Sequence, residues 1–267
     1  MTFDPFLRRW TLVPDGEPIH THSSDLLPVR LAGEPAILKV ARVDEEEVGH
    51  RLMVWWNGEG AARVLRHDGE AAVLERVEGD LSLADMVHAG QDDEASRILC
   101  GTVTVLHARQ ARPWPHLRPL ESWFRALEET APQVGGVMAL ALETARHLFR
   151  KPRDVRPLHG DIHHGNVLHS RERGWLAIDP KGLIGERGFD YANLFCNPDI
   201  ETATRPGRLA WQAHVVAEAA GLDRTRLLQW ILAYAGLSAA WDLKDRDPDL
   251  AAPMLEVARG AAAELGL

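Results

Sequence analysis

Cysteine is almost missing from this chain: there are two in 267 residues, Cys100 and Cys196, far apart and each in apolar surroundings. Two such thiols build no disulfide framework, so a reducing, cytoplasmic setting is expected. Long apolar runs are missing as well. No segment offers the roughly 20 apolar residues that cross a bilayer, so no membrane partner is expected. Met1 to Trp10 has no long apolar core, and no signal peptide is expected. Positive charge is in deficit, with 30 Lys and Arg against 39 Asp and Glu and a formal net charge of -9. That balance argues against a nucleic-acid partner and is compatible with a cationic small-molecule substrate, or simply with solubility. Internal repeats and low-complexity tracts are absent. What remains is an ordinary globular composition, long enough for one large domain or two small lobes, as a monomer or a homodimer.

The pattern along the chain divides in two. Leu26 to Leu31 and Pro35 to Ala41 are apolar runs joined by Ala32-Gly33-Glu34, which predicts a hairpin. Asp44 to Trp56 predicts a helix: its start is acidic, and Val48, Leu52, Trp55 and Trp56 recur on one face until Asn57-Gly58 stops it. Arg63 to Leu65 and Ala71 to Val77 flank Asp68-Gly69 and predict a second hairpin. Glu78-Gly79-Asp80 reads as a linker. Beyond it the chain turns helical. Asp92 or Asp93 caps a helix that Arg112-Pro113-Trp114-Pro115 ends, and Glu121 to Glu129 and Gly136 to Phe149 follow. Asp223 caps a long, nearly all-apolar helix through Trp241, and Pro248 to Leu265 closes the chain. The expected class is α+β, with a small antiparallel-sheet lobe over residues 1–77 and a larger helical lobe over residues 78–267.

One stretch carries chemistry. His159-Gly160-Asp161 leads to Asn166, and Asp179 follows thirteen residues after Asn166. Between them, Val167-Leu168 and Trp175 to Ile178 flank a polar piece, which predicts another hairpin. A hairpin returns the chain to its start, so Asn166 and Asp179 should meet at one open end, with Asp161 on the entering loop. Magnesium is a hard cation that takes few protein oxygens and completes its shell with phosphates and waters. Asn166 and Asp179 suit that role, and Asp161 suits accepting a proton from an attacking hydroxyl. The set fits transfer of the γ-phosphate of ATP. A zinc site built from His159, His163, His164 and His169 finds no supporting cysteine or second motif.

These residues resemble a known family. His159-Gly160-Asp161 with Asn166 and Ile178-Asp179 is similar to the catalytic and magnesium loops of protein kinases. Gly160, and Asp179-Pro180 in place of Asp-Phe-Gly, look instead like aminoglycoside phosphotransferases. Further stretches resemble the aminoglycoside/hydroxyurea resistance kinases, streptomycin 6-kinases above all: Pro35 to Lys39, Trp55 to Ala61, Leu158 to Asn166, Gly174 to Glu186, Ala192-Asn193 and Tyr234 to Trp241. They are collinear and span most of the chain.

The resemblance implies a two-lobed protein-kinase-like fold with ATP and Mg2+ between the lobes. It implies that Lys39 holds the α- and β-phosphates and that an acid of the following helix pairs with it. Glu46 is favoured, with Glu45 and Glu47 as competitors because sequence does not set the helix phase. The family's phosphate loop is here His22-Ser23-Ser24-Asp25, with no glycine-rich run. That leaves Ser23 and Ser24 to meet phosphate and puts GTP within reach. Glu75 to Val77 would form the hinge against adenine, and Asp190 would brace the catalytic loop beside His159. Lys181 touches phosphate or pairs with Glu186. For the acceptor, Asn193, Ser238, Trp241 and Asp242 are candidates, with charge from Asp242 and Asp245. The implied activity is phosphorylation of an aminoglycoside such as streptomycin at the 6-position. Hydroxyurea or a small metabolic alcohol is the alternative acceptor. A nucleotide-binding pseudokinase is the alternative of another class.

Overall fold

The structure is a computed structural model that describes residues 3–108, 113–245 and 247–267. The chain opens with α1 (Asp4–Arg9), β1 (Leu12–Pro14), β2 (Ile19–His20), β3 (Ser24–Leu31) and β4 (Glu34–Ala41). Next come α2 (Asp44–Trp56), β5 (Val64–Asp68) and β6 (Ala71–Glu75). These strands make one antiparallel sheet in the order β1-β3-β4-β6-β5, with β2 paired to β3. Both expected hairpins are present, and α2 keeps the expected bounds. Asn57 ends α2 in the left-handed conformation. The helix α1 lies outside the sequence expectation, which gave this region one helix only.

Strand alternation gives the sheet two faces. Leu27, Val29, Leu38, Val40, Ala71 and Val73 pack with Phe3 and Phe6 of the α1 segment in a small core of their own. The opposite face carries Leu26, Ile37, Lys39 and Leu74, and it lines a cleft. In the ladder Lys39 sits between Leu26 and Ala72.

The second part is mostly helical. It contains α3 (Leu83–His88), α4 (Asp92–Leu106), β7 (Arg118–Pro119), α5 (Leu120–Trp123), α6 (Arg125–Val134) and α7 (Val137–Arg150). Four short strands follow: β8 (Val155–Leu158), β9 (Val167–Ser170), β10 (Gly174–Ala177) and β11 (Leu183–Glu186). Two 3-10 turns, Arg187–Tyr191 and Asn193–Cys196, then lead to α8 (Ile200–Ala203), α9 (Arg208–Ala220), α10 (Arg224–Lys244) and α11 (Pro248–Leu265).

Several expectations are corrected here. Gln91, not Asp92 or Asp93, is the cap residue of α4. Asp92 instead pairs with Arg208, and Asp93 accepts from Trp211 and Gln212. The helix α4 stops at Leu106, well before the proline stretch, and Arg112 lies outside the described residues. The helix expected over Glu121 to Glu129 is broken in two at Phe124. The helix α3, capped by Ser82, and the helix α9 were not expected.

The larger core runs through both parts. Val48, Leu52, Trp55 and Trp56 of α2 belong to it, together with Leu106, Leu158, Val167 and the buried side of α10. The Trp56 indole donates to the Leu106 carbonyl at 3.1 Å, and its ring stacks on His159 at 6.1 Å. So α2 lies between β4 and β5 in sequence but packs with the helical lobe.

One buried charge cluster holds the base of that lobe. Glu186 accepts from Arg226 Nε at 2.8 Å and Nη2 at 2.6 Å, from Trp230 at 3.0 Å and from the Arg153 N–H at 2.8 Å. Burial alone would raise the Glu186 carboxyl. Its bonds to Arg226, Trp230 and Arg153 outweigh burial and hold it below its ordinary value. A depressed folded value stabilises above the unfolded value and is lost as pH falls through the folded one. The substitution Glu186→Gln leaves Arg226 buried without its counter-charge and should cost about 3–5 kcal/mol at pH 7. Denaturant titrations of both proteins should show that gap narrowing as pH falls below the ordinary carboxylate value. A gap that does not change with pH would contradict the charge assignment.

Candidate active site

The hairpin β9–β10 pairs Val167 with Ala177. The Ile178 N–H donates to the Asn166 carbonyl at 2.9 Å, which extends the ladder by one step. Asn166 and Asp179 therefore stand side by side at the open end. Both line a cleft of about 390 Å³ under the sheet, with Ser23, Ser24, Lys39, Glu75 and Val77. Ser23 is half-buried on the turn between β2 and β3, Ser24 is buried at the first position of β3, and Thr21 bonds Ser24 in place.

Lys39 is buried and makes ion pairs with both Glu46 and Asp179. Glu46 is 1% exposed, which fixes the helix phase that sequence left open. Glu45 instead faces Arg118 at 3.7 Å, and Glu47 faces Arg51 at 3.9 Å. A second lysine joins this cluster. Lys181 Nζ lies 3.3 Å from Glu46 Oε1 and 3.6 Å from Asp179 Oδ2. The expected pairing of Lys181 with Glu186 is overturned, because Glu186 is held by Arg226 on the far side of β11.

Asp179 adopts a left-handed backbone (φ 61°) immediately before Pro180. Aspartate tolerates that region better than most residues, and strain of this kind gathers at functional sites. Burial would raise its carboxyl, but Lys39 and Lys181 beside it hold it well below the usual carboxylate range. Asp161 shows the reverse. Burial pushes it up to about 7, against the pull of Lys181.

Asp161 makes no ion pair among the described residues. Its Oδ1 accepts from Asn193 Nδ2 at 2.9 Å. Asn166 Nδ2 donates to the Asp161 carbonyl at 2.9 Å, which leaves the Asn166 side-chain oxygen free for a cation. His159 is pushed down to about 4 by burial and is neutral. Its Nδ1 accepts from the Asp161 N–H at 3.2 Å, so its Nε2 carries the proton and donates to Ile178 O at 2.8 Å. Asp190, buried beneath, accepts from the His159 and Gly160 N–H groups at 2.8 and 2.7 Å. His107 also donates to it, at 2.8 Å.

The other histidines separate. His163 accepts from the Gly165 N–H, His169 packs on Trp175, and His164 is buried with neither ring nitrogen hydrogen-bonded. No group of three or more His, Cys, Asp or Glu able to hold a metal occurs among the described residues.

Three features here were missed in the sequence. Arg173, in the turn region of the hairpin, pairs with Glu75 and reaches the Gly58 carbonyl, tying the β9–β10 hairpin to the end of β6. Gly49 lets α2 approach the Pro180 carbonyl so closely that no Cβ fits there. Gly182, at φ 67°, meets Val48 from the other side. The signal for Gly49 was available, since a glycine inside a strongly periodic helix has a packing reason.

A second cleft of about 500 Å³ is lined by His22, Glu45, Trp123, Trp241 and Asp245, among others. His22 borders this cleft and Ser23 borders the first, so a single turn separates the two. Trp241 is half-buried and meets Trp123 edge-on at 5.9 Å. Ser238 and Asp242 are half-buried one helical turn apart on α10 and do not line this cleft. Asn193 is buried against Asp161.

An antiparallel lobe over a helical one, with a buried lysine–acid pair facing a hairpin-borne Asn and Asp, defines a kinase-like phosphotransferase. Residues 9–246 match the family model for aminoglycoside/hydroxyurea antibiotic resistance kinases, and the chain belongs to that family. It is 50% identical over 244 residues to streptomycin 3''-kinase of Klebsiella pneumoniae, covering 90% of this chain and 91% of that one. It is 33% identical to streptomycin 6-kinase of Streptomyces griseus, covering 95% and 86%. It is also 33% identical to hydroxyurea phosphotransferase of Kitasatospora aureofaciens, covering 95% and 75%. Among solved structures, a thermostable mutant of aminoglycoside phosphotransferase APH(4)-Ia with AMP-PNP and hygromycin B superposes with a TM-score of 0.70. It shares 15% identity, and both chains are covered fully. That likeness bears on the fold. Among the described residues, no helix is long and apolar enough to cross a membrane.

Gly49 allows a test in which two effects oppose. In an ordinary helix interior Gly→Ala stabilises by about 1 kcal/mol. Here the added methyl meets the Pro180 backbone, and overpacking of this kind costs about 1–3 kcal/mol. Gly49→Ala should lower stability in urea titrations, and a stabilised variant would refute the close approach.

Proposed function

We propose that this chain is an ATP- and Mg2+-dependent O-phosphotransferase acting on a hydroxyl of streptomycin. One observation carries the reading. Asn166 and Asp179 stand together at the cleft that holds Lys39, and Asp161, five residues from Asn166, is a carboxylate with no ion pair. The residues fit a metal-bound nucleotide. The cation Lys39 meets phosphate, while the free Asn166 oxygen and the ionised Asp179 are hard ligands.

In this reading residues 1–77 bind nucleotide, and residues 78–267 carry the catalytic loop and the acceptor site. Magnesium, when bound, neutralises charge on the phosphate oxygens. The rest is the chain's own work. Lys39 binds the α- and β-phosphates, held by Glu46. Ser23 and Ser24 offer hydroxyls and N–H groups. Glu75 and Val77 present backbone to adenine. Asp161 accepts the proton of the acceptor hydroxyl, and its raised pKa makes it a stronger base than a surface aspartate. Asn193 orients Asp161, so its contribution to the acceptor is indirect. Asp190 and His159 hold the loop. Consumption of ATP and two unpaired thiols suit the cytoplasm.

The acceptor enters by the second cleft. Its volume and its Trp123–Trp241 wall suit a bulky sugar, its lining carries the cations Arg125 and Lys244 as well as the acids Glu45 and Asp245, and hydroxyurea would leave most of it empty. Trp241 therefore keeps a role at the acceptor, whereas Ser238 and Asp242 lie outside the lining of this cleft. The 6-position follows from the resemblance to 6-kinases. The relative at 50% identity is a 3''-kinase, which favours the 3''-hydroxyl.

Mass spectrometry of streptomycin incubated with the protein, ATP and magnesium should show one added phosphate, and NMR should assign it to the 3''-oxygen. A 6-phosphate would correct the position. No transfer by a folded, nucleotide-binding protein would overturn the acceptor. Asp161→Ala should lose roughly 10²–10⁴-fold in kcat and retain nucleotide affinity. Near-normal turnover would remove Asp161 from the mechanism.

A further inference from the structure

Lys39 and Asp179 are each committed twice. They pair with one another, yet the proposed reaction asks Lys39 to hold phosphate and Asp179 to hold the metal. When both engage the nucleotide, their mutual contact must loosen. Glu46 would then hold only one end of the arrangement, unless another cation links it to Asp179.

Lys181 is that cation. Its ammonium stands between Glu46 Oε1 at 3.3 Å and Asp179 Oδ2 at 3.6 Å, and its side chain is 14% exposed. The atoms of the two acids are shared out. Glu46 Oε2 goes to Lys39 and Oε1 to Lys181, while Asp179 Oδ1 goes to Lys39 and Oδ2 to Lys181. The two lysines therefore bridge the same two carboxylates in parallel. Close packing also fixes where Lys181 stands. Its N–H donates to the His159 carbonyl at 2.7 Å, and Gly182 behind it is wedged against Val48 of α2.

We propose that Lys181 is a positioning residue. It keeps Glu46 on α2 joined to Asp179 while Lys39 turns to the phosphates, and it sets how strongly Asp179 attracts the metal. This rests on the phosphotransferase reading of the site. Two opposite effects follow from one charge. Lys181 holds Asp179 in place, which favours turnover. Being positive and close to a metal ligand, it also weakens cation binding there.

Lys181→Met separates these effects. Binding of AMP-PNP is followed by calorimetry at graded magnesium concentrations, and kcat and KM for ATP are measured with streptomycin. The magnesium concentration for half-maximal AMP-PNP binding should fall at least about threefold. The value of kcat should drop at least about tenfold, about 1.4 kcal/mol, with KM for ATP changed less than kcat. Lys181→Arg, which keeps the charge, should restore both towards wild type. A side chain that only packs would weaken binding or leave it unchanged. Thus an unchanged or raised magnesium requirement in Lys181→Met overturns the proposal, as does a lowered requirement with normal kcat. If Lys181→Met does not fold, Lys181→Gln is read in the same way. The binding arm needs no acceptor. Absence of phosphotransfer by wild type would count against the enzyme reading and leave the magnesium result readable.

Discussion

The structure turns on one carboxylate. Glu46 is almost fully buried, and a buried charge persists only where it is paired. Its two oxygens hold two lysines from different parts of the chain, Lys39 on β4 and Lys181 after β10. Both lysines also hold Asp179. Four side chains from the sheet, α2 and the segment after the hairpin are thereby drawn to one point. Lys39 and Asp179 also line the cleft under the sheet.

The packing of α2 supports that point. The sheet has its own small core with α1, whereas α2 buries Leu52, Trp55 and Trp56 in the core of the helical lobe. Trp56 stacks on His159 at the start of the loop that leads to Asn166, and Gly49 lets the helix lie on Pro180. The acid that orients Lys39 is thus fixed to the loop that carries Asp161. Arg173 adds a strap from the hairpin to the end of β6. Below, Asp190 satisfies the N–H groups of His159 and Gly160, which would otherwise be buried donors without acceptors. Catalytic geometry of this kind depends on such support.

The sequence was legible where a pattern is local. The hairpins, α2 and the convergence of Asn166 with Asp179 follow from alternation, caps and turns within short windows. Asp223 as the cap of α10 was legible for the same reason. What was not legible depends on register between distant segments. The choice of Glu46 over its neighbours needed the phase of α2 against β4. The partner of Lys181 needed the direction of a side chain 135 residues away. The helix α3 starts at a Ser82 cap and α9 ends at Gly221, so local signals for both stood in the sequence. The second cleft was the least legible. Trp123 and Glu45 join Trp241 there from separate elements, and only the packed structure shows that one turn divides this cleft from the first.

The central claim is that one cluster of two acids and two lysines re-sorts its partners when the nucleotide arrives. A crystal structure of the protein with AMP-PNP and magnesium tests it most directly. The account predicts that the metal takes Asp179 and the Asn166 side-chain oxygen. Lys39 should leave Asp179 for phosphate, and Lys181 should remain on Glu46. A nucleotide complex in which Lys39 and Asp179 stay paired, with the metal held elsewhere, would contradict it.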